Sequence, residues 1–263
     1  MTQFPATLKP LFRSPALFSR FPDLIAAEST RHGGVSPAPY SSLNLGLSTK
    51  DDPGHVQENC NRFWQALGVL PTQVASSHQI HGAEILTVTQ PGQYQGYDAL
   101  VTNQANTVLT VTVADCTPIL IYDPVQGVVA AVHAGWRGTV QHIASQAVER
   151  MRDEFGTNPA DCFAYIGTCI DECSFEVGEE VAEQFLETHK RFDPTVGKYF
   201  VDLKAANQEQ LVQAGVRKNH IEVSGYSTVL HNCDYFSYRL ENGQTGRMLA
   251  AIGIITSKHL LTN

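Results

Sequence analysis

Three aliphatic and β-branched runs, Val108 to Val113, Pro118 to Tyr122 and Val128 to Val132, follow one another closely in the middle of the chain. Side chains of this kind pack well on a pleated surface, so each run reads as a strand. Asp123-Pro-Val-Gln-Gly127 separates the last two and has the composition of a hairpin turn. Strands that are neighbours in sequence argue against regular alternation of strand and helix. They favour an α+β fold with mixed β-sheets flanked by helices.

The flanking segments supply the helices. Asp52-Pro53 opens one in which Val56, Cys60, Phe63 and Leu67 share a face, with Gly68 where a C-terminal cap belongs. After Gly135-Trp-Arg-Gly138, the residues Val140, Ile143, Ala147, Met151 and Phe155 recur at helical spacing and stop at Gly156. Two more helices are expected over Val177 to His189 and over Leu203 to Ala214, the second starting behind Asp202 and stopping at Gly215. Further strands are expected at Glu84 to Thr89, Glu222 to Tyr226 and Leu249 to Ile255. No repeat or linker divides the chain, and residues 1–263 are read as a single compact domain.

Composition narrows the partners. A net charge of -8 opposes a broad grip on nucleic acid polymers or on an anionic membrane, both of which need a concentrated basic surface. A small-molecule site fits better, and Arg137 and Arg62 are candidates to hold a single phosphate. No stretch approaches membrane-spanning length and the N-terminus has no apolar signal region, so the expected location is the cytoplasm. The six cysteines are irregularly spaced in a chain long enough to build its own core, which favours free thiols or metal ligands over disulfides. Cys169 and Cys173 lack a second matching pair and do not make a zinc ribbon.

Three polar stretches interrupt the strand framework: His78-Gln-Ile-His-Gly82, Ala114-Asp-Cys-Thr117 and Val132-His-Ala-Gly-Trp-Arg-Gly138. A hairpin turning about Pro124 and Val125 would set Cys116 and His133 nearly opposite each other at its open end. Paired positions there bring Cβ atoms to roughly 5 Å. That suits joint ligation of zinc at about 2.3 Å from a thiolate and about 2.0 Å from an imidazole nitrogen. Alone, Cys116 reads as a small buried hydrophobe and His133 as a satisfied strand-end histidine. A third histidine moves the balance toward a metal site, and spacing does not choose between His78 and His81. Asp115 reads equally as a strand-terminating turn residue or as a group that orients a ligand or accepts a proton. Arg137 stands at the start of a helix, where a guanidinium and backbone N–H groups can hold an anion together. Trp136, Phe175 and Tyr226 are candidates to stack on a base, although aromatic residues are more often core.

At these stretches the sequence closely resembles the YfiH/YlmD-type family, described as laccase-like polyphenol oxidases and as purine nucleoside phosphorylases with adenosine deaminase activity. The resemblance takes in Ser29-Thr-Arg-His-Gly-Gly-Val-Ser36, Ser42-Leu-Asn-Leu-Gly46, Asn59 to Arg62 and Gln79-Ile-His-Gly82. It continues through Asp98-Ala99, Thr112-Val-Ala-Asp-Cys-Thr-Pro118, Ala131-Val-His-Ala-Gly-Trp-Arg-Gly138, Phe175-Glu-Val-Gly178 and Phe236-Ser-Tyr-Arg239. It implies metal ligation by His81, Cys116 and His133, and so prefers His81 to His78. It further implies six pocket positions: Asn44, Arg62 and Gln79 are expected to bind substrate, and Asp115, Arg137 and Glu176 to take part in catalysis. One departure stands out: members often read Gly-Pro-x-Ile-Gly-Pro before the Glu-Val-Gly motif, where this chain has Gly167-Thr-Cys-Ile-Asp-Glu172.

The expected activity is phosphorolysis of adenosine, inosine, guanosine and methylthioadenosine, with adenosine deamination at a zinc site that copper can also fill. A copper-dependent polyphenol oxidase is the alternative. It requires one sulfur-bound copper and a further cluster of three, and ten histidines with no His-x-His pair make that array hard to assemble. A hydrolase using Cys116 as nucleophile, activated by His133, is the other enzyme reading. A purely structural zinc normally takes four protein ligands, whereas three are assigned here.

Overall fold

In the computed structural model, which describes residues 9–256, two six-stranded mixed sheets lie face to face between helices. The first sheet runs in spatial order through Phe12–Arg13, Leu24–Ser29, Met248–Ile254, Val108–Val113, Val74–His78 and Gly92–Gln95. The second runs through Ile221–Val223, Phe163–Ile166, Thr117–Asp123, Val128–Ala134, Ala99–Thr102 and Ile85–Thr87. Each contains parallel and antiparallel pairs: Val108–Val113 is antiparallel to Met248–Ile254 and parallel to Val74–His78. Glu176–Val177, Lys198–Val201 and Lys190–Asp193 form a small third sheet.

Alternation along the strands explains the layers. In Val128–Ala134, Val129 and Ala131 face the first sheet and pack with Leu109, Val111, Ala250 and Ile252. Val128, Ala130, Val132 and Ala134 point the other way, onto Ile143, Ala147 and Met151 of the helix Ile143–Phe155. The outer face of the first sheet is closed by Phe63 and Trp64 of the helix Pro53–Leu67, which meet Val108, Leu249 and Ala251. The result is a single α+β domain with one layer of apolar side chains between the sheets and one outside each.

The helix at residue 53 forms as its signals predict: Asp52 accepts from the N–H groups of Gly54 and His55, and Gly68 caps the end at φ 68°. Leu203–Gln213 likewise starts behind Asp202, whose side chain accepts from Ala205 N–H. The helix expected after Gly135 is two pieces, Trp136–Val140 and Ile143–Phe155, because His142 takes a left-handed φ of 62° between them. The helix expected over 177–189 is not there. Glu176 and Val177 pair with Phe200 and Tyr199 as a strand, and only the single turn Glu179–Ala182 and the 3-10 turn Glu187–His189 follow. Phe175, Val177 and Phe185 still reach one apolar cluster, so burial is satisfied without helical periodicity. The strand expected from Glu222 is the shorter Ile221–Val223. No helix among the described residues is long and apolar enough to cross a membrane, and all six cysteines are unpaired.

Candidate metal centre

Three connections carry the chain from the first sheet to the second: two hold a predicted ligand, and the third, between Gly92–Gln95 and Ala99–Thr102, holds Asp98. His81 lies between Val74–His78 and Ile85–Thr87, and Cys116 between Val108–Val113 and Thr117–Asp123. His133, near the end of Val128–Ala134, reaches the same end of the sheet pair. The ligand atoms of His81, Cys116 and His133 all lie within 4.8 Å of one another. Donors bound at about 2.0–2.3 Å from one ion lie within roughly 4.5 Å of one another, so small side-chain adjustments would let the three share one ion.

The hairpin register differs from the expected one. Asp123 pairs with Val128 across a four-residue loop, so Pro118 stands opposite His133 and Thr117 opposite Ala134. Asp123 sets this loop by accepting from Val125 and Gln126 N–H, which moves the turn centre one residue further on and the register by two. Cys116 therefore does not face His133 across the ladder. It reaches the imidazole from just beyond the strand, after Asp115 bends the chain at φ 92°.

Asp98 organises the site. Its Oδ1 is 2.8 Å from His133 Nδ1 and accepts from His81 N–H at 3.0 Å, while Oδ2 accepts from Ile80 and Gly82 N–H at 3.2 and 2.8 Å. One buried carboxylate thus fixes the rotation of His133 and the loop that presents His81. The loop needs this support because His81 has a φ of 60°, unfavourable for a residue with a Cβ. With Nδ1 engaged, His133 has Nε2 left for a metal. Burial resists ionisation of Asp98, but the bond from His133 and the N–H groups of Gly82 and Ile80 outweigh it and hold the carboxyl below its ordinary range.

A side chain at Gly135 would crowd the cluster: a Cβ would lie 3.1 Å from Cys116 Sγ, so the sulfur would have to shift by a few tenths of an ångström, and 3.5 Å from His81 Cδ2. His133 is buried, Cys116 half-buried and His81 exposed, so the cluster opens to solvent on the His81 side. Burial disfavours the Cys116 thiolate, yet the neighbouring His133 charge and hydrogen bonds from both histidines bring the thiol down to about 6. His133 is desolvated too, and Cys116 and Asp98 together carry it up to about 9. In the metal-free protein these two residues form a thiolate–imidazolium pair. Two imidazoles and a low-lying thiol are a mixed N/S donor set that fits zinc, and among the described residues no fourth His, Cys, Asp or Glu joins them.

The other predicted residues are distributed unevenly. Asp115 is next to Cys116, with Oδ1 accepting from Thr228 Oγ1 at 2.5 Å and Oδ2 from Arg239 N–H at 2.6 Å. Burial raises its carboxyl above the usual range despite these bonds. Arg137 is exposed, with its guanidinium 4.4 Å from the Trp136 ring centroid. Glu176 is 3.6 Å from Lys198 Nζ, and its carbonyl accepts from Arg239 Nη1. Gln79 is committed to Thr112, accepting from its N–H and hydroxyl and donating to its carbonyl. Asn44 is fully buried: it donates to Thr49 and Asp51 and accepts from the N–H groups of Gly46 and Arg247, which uses all its amide capacity. Arg62 is turned to Glu58 at 2.7 Å and the Gly33 carbonyl at 3.2 Å. In the atypical loop, Ile170 N–H donates to the Asp115 carbonyl at 3.0 Å and Thr168 donates to buried Glu28. Cys169 is buried and Cys173 exposed.

A two-sheet α+β domain with an open His-Cys-His ligand cluster where the chain crosses between sheets is the class these features define. The family described as multi-copper polyphenol oxidoreductase laccase matches residues 25–255, and the chain belongs to that family. It is 40% identical over 247 residues to a Deinococcus radiodurans protein named purine nucleoside phosphorylase, covering 93% of each chain. It is 37% identical over 235 residues to the Escherichia coli protein named purine nucleoside phosphorylase YfiH, covering 88% of this chain and 93% of that one. The crystal structure of YlmD from Geobacillus stearothermophilus matches with a TM-score of 0.86 at 34% identity, covering 93% of this chain and 99% of that one. The resemblance to YfiH and YlmD proteins and the mixed α+β fold expected from it both hold.

Proposed function

We propose that this chain is a purine nucleoside phosphorylase, acting on adenosine, inosine, guanosine and methylthioadenosine with phosphate, with a zinc-dependent activity that deaminates adenosine to inosine. The observation that carries this reading is an open three-donor cluster in a chain whose full-length relatives are named purine nucleoside phosphorylases. Zinc held by His81, Cys116 and His133 would supply Lewis acidity and bring the pKa of a bound water to about 7.

The chain's own residues do the rest. The substrate enters on the exposed His81 side of the cluster. Arg137 has no carboxylate partner among the described residues, which leaves its guanidinium available for phosphate. A phosphate oxygen bonds to the anomeric carbon as the bond to the purine nitrogen breaks, and the departing base takes the electron pair and a proton. The products are free base and ribose 1-phosphate. Holding both reactants in register is worth roughly 7–11 kcal/mol of barrier in favourable cases. Asp115 is assigned to proton transfer: its half-buried carboxyl is raised above the usual carboxylate value by desolvation and is fixed by Thr228 and Arg239. Glu176, exposed beside Phe175, is the second candidate carrier, including for the ammonia that leaves in deamination. The reaction partners are small molecules, in keeping with the net charge of -8, and unpaired cysteines support a cytoplasmic location.

The family description favours a second reading, copper-dependent polyphenol oxidation. A four-copper array needs several ligand groups, and the described residues contain one. The deciding experiment incubates metal-analysed protein with the four nucleosides, with and without phosphate, and identifies the products. Phosphate-dependent release of base is expected. Base release at equal rate in phosphate-free buffer would make the protein a hydrolase, and oxidation of phenols without nucleoside turnover would restore the oxidase.

A further inference from the structure

Arg247 stands beside the candidate metal cluster without a carboxylate in salt-bridge contact among the described residues. The ladder between Met248–Ile254 and Val108–Val113 places Met248 opposite Val113. Continued one step in the same register, it sets Arg247 opposite Ala114, two residues before Cys116. The side chain is held from several directions. Its backbone N–H donates to Asn44 Oδ1 at 2.9 Å, and Gly46 packs against its stem so closely that a Cβ there would lie 2.5 Å from Cγ. Nη1 donates to the carbonyls of Thr245 and Gly246, both at 3.0 Å, and the Tyr238 ring lies 5.4 Å from Cζ.

This is a rigid cation with donors to spare. Among the described residues no carboxylate pairs with it, and Nε and Nη2 have no protein partner, yet neither is sealed from solvent. A half-buried guanidinium gives up hydration, and two carbonyls restore only part of it. Burial pulls its pKa down, opposed by Tyr238, Asp115 and Cys116. The two free N–H groups on one side of a planar fork match the spacing of two oxygens on one phosphorus. The rival cations are less suited: Arg62 is paired with Glu58, and Arg137 is exposed and must be ordered by the ligand.

We propose that Arg247 is the principal phosphate anchor of the pocket, taking inorganic phosphate through Nε and Nη2, with Asn44 and Gly46 as the residues that position it. The use of that phosphate in nucleoside cleavage rests on the function proposed above. The arrangement also accounts for the buried Leu43-Asn-Leu-Gly46 segment, which braces the anion site without touching the anion.

The test measures phosphate binding to zinc-loaded protein by calorimetry, alone and with nucleoside, for wild type, Arg247→Gln, Arg247→Lys and the surface control Arg152→Gln. Zinc content and thermal unfolding are recorded for each. Arg247→Gln should weaken phosphate ~10-fold or more, the loss expected for a charged bidentate partner, with zinc content unchanged. Arg247→Lys should recover part of the affinity and Arg152→Gln should match wild type. Adenosine 5′-monophosphate is titrated in parallel. If Arg247→Gln weakens the nucleotide but not inorganic phosphate, the site reads a phosphoester and the assignment is overturned. Equal phosphate affinity in wild type and Arg247→Gln also overturns it, as does wild type that binds no phosphate in either condition. If phosphate binding depends on Arg247 but no nucleoside is cleaved, the anion site stands and the phosphorylase reading fails. Should Arg247→Gln not fold, the lysine variant and Asn44→Ser carry the same comparison.

Discussion

Asp98 and His133 meet at 2.8 Å between Oδ1 and Nδ1, with side chains 0% and 3% exposed, and the same carboxylate holds the N–H groups of Ile80, His81 and Gly82. Two of the three candidate metal ligands are therefore oriented by one residue outside the cluster. The ring nitrogen left to His133 and the direction of the His81 loop are both consequences of Asp98.

Asp98→Asn should lower zinc affinity roughly 10–100-fold, the usual cost of losing a carboxylate behind a ligating histidine. The amide turns a donor toward N–H groups that the carboxylate accepts from, so the His81 loop also loses support. Competition with a chromophoric chelator measures the change. An affinity equal to wild type would remove Asp98 from the site.

Much of this architecture is legible along the chain and some is not. The strands of the central hairpin, the helix behind Asp52 and the stop at Gly215 follow from local signals, because each depends on a few adjacent residues. Spacing alone does not separate His78 from His81; the difference lies in Asp98, sixteen or more residues away, which bonds to the 80–82 backbone. Asp98 has no visible role in the Asp98-Ala99 motif, and a carboxylate opening a strand beside a histidine-bearing partner strand is the signal that could have found it. The register of the hairpin depends on how Asp123 folds its loop, and an error of one residue in the turn centre becomes two in the pairing. The family resemblance implies pocket roles for Asn44 and Gln79, but the saturation of their amides by neighbouring groups is a tertiary fact.

Gly135→Ala should release the metal while sparing the fold. The added Cβ would sit 3.1 Å from Cys116 Sγ, close enough to push the sulfur, and 3.5 Å from the His81 ring; its three nearest neighbours all belong to the cluster. Gly92→Ala is the control, since its Cβ meets nothing within 4 Å, and its effect should stay within about 0.5 kcal/mol. Zinc content beside thermal unfolding separates the two. Full zinc occupancy in the Gly135 variant would show that the ligands do not need that space.

His78→Ala should keep its metal and His81→Ala should lose it. His78 ends a strand and pairs with Gln95, whereas His81 lies inside the ligand cluster. Elemental analysis after identical zinc loading decides, and the reverse order would reassign the third ligand.

Zinc uptake should release protons in a pH-dependent number. In the metal-free protein Cys116 is lowered to about 6 and His133 raised to about 9. Both must be deprotonated to ligate. Above about 9 neither carries a proton to lose; between about 6 and 9 His133 releases one; below about 6 Cys116 releases a second. Zinc affinity should accordingly rise with pH through this range and level off above about 9. Titration in weak buffer with a pH indicator counts the protons. A constant count across the whole of this range would mean that the pair is not coupled as described.

Metal removal gives the sharpest division between the metal enzyme and the thiol-nucleophile hydrolase, because the two respond with opposite sign. In the metal-free protein Cys116 is a thiolate beside protonated His133 at neutral pH, which is the resting state of a cysteine nucleophile with its base. Zinc ties up that sulfur and both imidazoles, so a thiol enzyme would be silenced by zinc and switched on by chelation. The proposed enzyme behaves the other way: chelation should abolish adenosine deamination, with or without phosphate, and zinc should restore it. Iodoacetamide supplies an independent readout, since Cys116 should be alkylated quickly after chelation and protected when zinc is bound. Activity that grows on chelation and disappears on alkylation would establish the hydrolase. Activity lost on chelation and regained with zinc, with protection of Cys116 following the same course, places the metal at the sulfur and the chemistry with it.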